Sequence, residues 1–272
     1  MTMRLRLAAA TFIAAATIGS SAAAETPREI CDSTGGAFSI DQRINSCTSL
    51  IKAGSTDATA YNGRGNAYEE KGSYDQAIAD YTQAIRLDPK YARAYNNRGY
   101  AYQDKGNYDQ AIADYTQAIQ LDPKYAATYN NRGTAYESKK DYAHAIADFT
   151  QAIGLDPKLA PPLNNRCYDS AIIGRLQAAL ADCNQALALR PDDANTLDSR
   201  GFVNLKLGQF DKAIADYDAA LKIDPKIATS LFGRGVARLK TGNRTAGDSD
   251  IAAAKAMRAD IAERMAALGI SP

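Results

Sequence analysis

A 34-residue phrase recurs in register from Ala58 onward, and it confines this 272-residue chain to a narrow set of folds. Copies at 58–91 and 92–125 are nearly identical. Others run over 126–159, 160–193 and 194–227, and a degenerate copy over 228–261 lacks the terminal Pro. Numbered within a copy, position 8 is Gly65, Gly99, Gly133, Gly201 and Gly235, and position 20 is Ala77, Ala111, Ala145, Ala179 and Ala213. Position 24 is Tyr81, Tyr115, Phe149 and Tyr217, and position 32 is Pro89, Pro123, Pro157, Pro191 and Pro225.

Within a copy, apolar residues recur at helical spacing in two stripes. In the second copy these are Tyr95, Gly99 and Tyr102, then Ala111, Ile112, Tyr115, Ala118, Ile119 and Leu121. Gly106 between them accepts a left-handed backbone and stops the first helix. Asp122-Pro123 ends the second, because a residue before Pro is pushed out of the helical region. Small residues at positions 8 and 20 let the two helices approach closely. One hairpin cannot bury both stripes, so the copies must stack on one another.

This pattern resembles the tetratricopeptide repeat (TPR), and the resemblance covers the chain from 58 to 261. It implies an all-α, right-handed solenoid of antiparallel helix pairs with capping helices at both ends. Residues 25–57 stay in register as a worn half-repeat that caps the amino end, and 262–272 form the carboxyl-terminal cap tail.

Residues 1–24 carry Arg4 and Arg6, an apolar stretch from Leu7 to Ile18, and SSAAA, the layout of a cleavable secretory signal. The alternative, a membrane anchor, is weaker because the apolar stretch falls short of the ~20 residues a spanning helix needs. Cleavage leaves 30 basic against 31 acidic side chains, a balance that gives no support for nucleic acid or an anionic membrane surface as partner. The expected location is the bacterial periplasm or the exterior.

Four cysteines in an exported chain suggest disulfides. Cys31 and Cys47 fall at positions 8 and 24 of the capping repeat, and Cys167 and Cys183 at the same positions of the fourth copy. These positions face each other where the two helices lie closest, so the register selects the pairs Cys31–Cys47 and Cys167–Cys183. A zinc site would want closely spaced ligands, and the sole histidine is His144. A redox site would want Cys-x-x-Cys.

Arg stands at position 7 of all six copies and Asp at position 23, which predicts six ion pairs across or between hairpins. The alternative is a basic ladder for an anionic polymer. The 16 tyrosines fall mostly on packing positions, and only Tyr100 and Tyr168 at position 9 should face the concave groove that helix A lines in this family. Position 5 is Asn62, Asn96, Asn130 and Asn164, position 6 is Asn97, Asn131 and Asn165, and Asn66 adds another amide at position 9. Amides both donate and accept, so such a row can match an extended peptide backbone, as groove asparagines of this family do. The competing reading is that position 6 supports the neighbouring repeat. Asn66 and Asn97 match the asparagines of the family's carboxylate clamp, but Asn62 and Ala127 stand where it needs basic residues, so that clamp is incomplete.

No catalytic constellation, metal set or cofactor motif emerges, and His144 falls on the outer side of helix B. The expected function is a non-enzymatic scaffold or adaptor of the bacterial envelope, holding a segment of an unidentified protein in its groove. The alternative is a glycan-binding module for polysaccharide or peptidoglycan machinery, with Tyr100 and Tyr168 as stacking platforms.

Overall fold

The computed structural model describes residues 25–33, 36–54 and 56–272; the expected export signal over 1–24 lies outside them. The described residues form fifteen α-helices and no strand. A short α1 (Pro27–Asp32) and α2 (Ile40–Lys52) precede six regular pairs. These are α3 (Ala58–Glu70) with α4 (Tyr74–Leu87), α5 (Ala92–Asp104) with α6 (Tyr108–Leu121), and α7 (Ala126–Ser138) with α8 (Tyr142–Leu155). Then come α9 (Ala160–Ile172) with α10 (Leu176–Leu189), α11 (Ala194–Lys206) with α12 (Phe210–Ile223), and α13 (Ala228–Lys240) with α14 (Arg244–Met257). A short α15 (Ile261–Ala267) follows.

Each helix packs on its chain neighbours, and the first helix of a pair also touches the first helix of the next, as α3 does with α5 and α5 with α7. The result is a solenoid with no single centre. Its interior is a series of small clusters in the first pairs, such as Ala77, Tyr81 and Ala101, which join one pair to the next, and one larger cluster that runs from Cys167 of the fourth pair to Ile270.

The punctuation works as its chemistry demands. Gly72 closes α3 at φ +76°. Asp88 leaves the helical region before Pro89, at φ −132° and ψ 95°, and its Oδ1 accepts from the Lys90 N–H at 2.9 Å. The third pair departs from this scheme, because Lys140 takes the left-handed turn at φ +61° where the other pairs use Gly.

Position 8 lies against position 24 within each pair. A Cβ on Gly65 would come within 2.5 Å of the Tyr81 ring, and one on Gly133 within 2.6 Å of Phe149. At the amino-terminal cap and in the fourth pair, disulfides replace this contact. Cys31 is bonded to Cys47 and Cys167 to Cys183, with Cα separations of 4.9 and 5.5 Å, and all four side chains are buried.

The carboxyl end does more than extend the stack. After Met257 the chain turns inward, and α15 with the tail behind it lies over the inner faces of α11 and α13. The Lys206 Nζ, on α11, donates to the Leu268 carbonyl at 3.4 Å.

Candidate binding groove

The first helices of successive pairs line one continuous inner wall, and the arginine at position 7 ties each of them to the second helices on either side. Arg98 Nε and one terminal nitrogen each donate to Asp114 at 2.7 Å, forming a bidentate pair within the hairpin. The other terminal nitrogen reaches back to Thr82 Oγ1 of the preceding pair at 3.0 Å. The same arrangement joins Arg64 to Asp80 and Thr48, Arg132 to Asp148 and Thr116, and Arg166 to Asp182 and Thr150. Arg200 takes Asp216 and Asn184, and Arg234 takes Asp250 and Asp218. Each guanidinium therefore ties three helices together. The neighbouring aspartate raises the pKa of Arg64, Arg98, Arg132 and Arg234 further. With their donors spent on carboxylates and hydroxyls, these arginines offer no basic ladder. The third partner, at position 25 of the preceding copy, was missed by the sequence reading although it is Thr in four consecutive copies.

The asparagines form a second ladder, and it closes largely on itself. Asn97 Nδ2 donates to Asn62 Oδ1 at 3.2 Å and to Asn66 Oδ1 at 3.0 Å. Asn131 donates to Asn96 at 3.2 Å and Asn165 to Asn130 at 3.3 Å. Position 6 of one pair thus supports position 5 of the pair before. Asn62 and Asn96 are buried, and the bonded oxygens face the neighbouring amide rather than the groove opening. The row ends at Asn164, whose buried Oδ1 has no hydrogen-bond partner among the described residues. The next copy holds Ser199 in place of the donor, and its hydroxyl turns to the Asn195 carbonyl.

What remains open to a guest lies beside this ladder. Tyr100 is exposed, whereas Tyr168 is half-buried, packs against Phe202 with ring centroids 5.7 Å apart, and lies beneath Met265. The two tyrosines are therefore not equivalent platforms. Acidic groups stand along the wall. Glu69 accepts from the Tyr81 hydroxyl at 2.8 Å, and burial together with nearby Asp104 raises its pKa. In the third pair the aromatic is Phe149, so Glu137 loses that hydroxyl, and burial pushes its pKa up to about 7. Asp169 stands where the preceding copies have Ala67, Ala101 and Ala135. It is fully buried, neither carboxylate oxygen has a partner among the described residues, and burial and Glu137 raise its pKa to about 8. Its departure from Ala is visible in the sequence; its burial beside a second carboxyl is not.

His144 is exposed as expected, but it stacks on Tyr136 at 5.0 Å and contacts Asp141 at 2.7 Å. Among the described residues no group of three or more His, Cys, Asp and Glu could hold a metal ion, and no helix is long and apolar enough to cross a membrane.

Sequence models for tetratricopeptide repeats match residues 65–106, 92–125, 126–159 and 174–267. A search of curated proteins finds no match. Among solved structures, a chain of the APC/C hetero-tetramer Cut9–Hcn1 superposes with a TM-score of 0.70 at 17% identity, over 84% of this chain and 48% of that one, so the present chain spans about half its length. PilW, a type IV pilus biogenesis factor, matches with a TM-score of 0.66 at 23% identity, over 73% of this chain and 92% of its own. YrrB, a TPR protein with an unusual peptide-binding site, matches with a TM-score of 0.54 at 22% identity, covering 70% and 98% respectively. At these identities the likeness shows the fold.

Proposed function

Because this chain belongs to the tetratricopeptide-repeat family, whose fold serves as a protein–protein interaction scaffold, we propose that it holds a segment of another protein in the open half of its groove and has no catalytic role. The observation that carries this reading is the inner wall around the exposed Tyr100 of the second pair, whereas from Tyr168 of the fourth pair onward the wall lies under the chain's own carboxyl end. The amide and arginine ladders tie the helices of that wall to one another. Tyr100 supplies an aromatic surface on it, and the half-buried Glu69 and Glu137 favour a segment that brings basic side chains. YrrB, which shares the fold, supports a peptide as ligand. The glycan alternative wanted two spaced, exposed aromatics, and only Tyr100 meets that need.

The chain acts in the bacterial envelope. Two disulfides support this placement, since such bonds persist in oxidising compartments, and the resemblance of the fold to PilW agrees with it. A photoreactive phenylalanine analogue at Tyr100, irradiated in intact cells, tests the proposal. It should capture a discrete protein, and the same probe at Gln110 on the outer face should not. Recovery of sugar polymer without protein would overturn it.

A further inference from the structure

The groove changes character along its length. In the first four pairs its positions 5 and 6 are almost all amides. In the last two pairs, positions 9 and 12 hold Phe202 and Leu205, then Val236 and Leu239. Over this apolar half lies the chain's own carboxyl end. Ile261, Met265 and Ile270 are each at most 5% exposed, while Glu263, Arg264, Ala266 and Ala267 face water. The apolar residues Ile261, Met265 and Leu268 follow an i, i+4, i+7 spacing, which puts them on one helical face. The helix has seven residues, far below the ~12–15 at which an isolated helix becomes even marginal, so its form depends on the surface beneath it.

That surface is not filled. A cleft of about 670 Å³ runs beside α15, with Glu137, Tyr142 and Ile172 on the wall side and Ile261, Arg264 and Leu268 on the segment's flank. A second cavity, of about 180 Å³, lies beneath it between Tyr168, Phe202 and Met265. The buried Tyr217 hydroxyl that lines this cavity has no partner among the described residues. A permanent core packs to the density of an organic crystal, with few voids larger than a water molecule. Here an amphipathic helix seats its apolar face in the groove and leaves open space beside and beneath it.

We propose that residues 261–270 are a displaceable intramolecular occupant of the groove's apolar half. The same half takes an amphipathic helix of a partner protein with aliphatic side chains at i, i+4 and i+7. A basic residue at i+3, the place of Arg264, turns toward the cleft that Glu137 lines. This rests on the reading of the groove as a binding surface and adds to it a second subsite and a gate.

The test uses the full chain with its disulfides intact. Met265→Asp combined with Leu268→Asp frees the segment, and the probe is a fluorescein-labelled peptide of residues 258–272, followed by anisotropy. The tethered segment competes at an effective concentration on the order of millimolar, so the freed variant should bind the peptide at least about tenfold more tightly than the unaltered chain. A scrambled peptide should not bind. Equal binding by the two proteins, no binding to the freed variant while its helicity is retained, or binding of the scrambled peptide overturns the proposal. Hydrogen exchange on the unaltered protein needs no variant. Amides of 261–270 should exchange much faster than those of α13, and equal protection marks a fixed cap and overturns the gate. Neither measurement involves Tyr100, so failure here leaves the crosslinking result to be judged separately.

Discussion

Asp169 carries a large energetic penalty for a single side chain. A buried carboxyl without a hydrogen-bond partner loses its hydration and regains nothing, and Glu137 beside it adds repulsion once both ionise. Because the folded pKa is raised, the folded chain binds more protons than the unfolded one from the ordinary carboxylate range near 4 up to about 8. The contribution of Asp169 to stability is therefore most favourable below that window and is lost as pH rises through it. Asp169→Ala restores the residue found at this position in the three preceding copies. It should stabilise the protein by roughly 1–3 kcal/mol at pH 8 and by less at pH 5, as read by urea unfolding at the two pH values. An equal gain at both would mean that the carboxyl does not titrate in this window.

At the scale of the hairpin, the arginine at position 7 adds a polar tie to the packed helix pair. Each guanidinium is about four-fifths covered and its aspartate more so, as in Arg98 and Asp114 at 18% and 9% exposure, so the pair is neither a surface ion pair nor a fully desolvated one. The bidentate geometry and the extra bond to Thr82 make loss of either partner expensive, because the survivor stays shielded from water. A double-mutant cycle with Arg98→Ala and Asp114→Ala should give a coupling energy of about 1–3 kcal/mol. Additive single effects would show that the two charges stabilise independently. The pairing partner was legible from the sequence, since Arg and Asp recur together in every copy. The threonine was not, because it belongs to the preceding copy and meets the arginine only when two hairpins stack.

Across the whole array, stability is a chain of neighbour contacts, and its weakest link decides how it comes apart. The fourth pair is that link. It carries buried Asp169 and Ser170 where the three preceding copies have Ala and Tyr, and Cys167–Cys183 stands in place of the glycine–aromatic contact. Cys167→Ala with Cys183→Ala should remove roughly 3 kcal/mol in the chain-entropy account and split thermal unfolding into two steps, with the halves before and after the fourth pair melting separately. A single cooperative transition in that variant would show that the pair is not a weak point.

What the amino-acid order determined unaided is everything that repeats every 34 residues: the helix pairs, their stops at Gly and Asp-Pro, and the register that sets Cys opposite Cys and Arg opposite Asp. Those features depend on local backbone preference and on neighbours within one hairpin, so each copy states them again. The tertiary structure decided what arises between copies. The asparagine ladder turns its oxygens on its own members, because stacking brings position 6 of one pair against position 5 of the last. The carboxyl end finds the groove only because several pairs together form a curved wall for Ile261, Met265 and Leu268 to lie against, a surface that no single copy possesses.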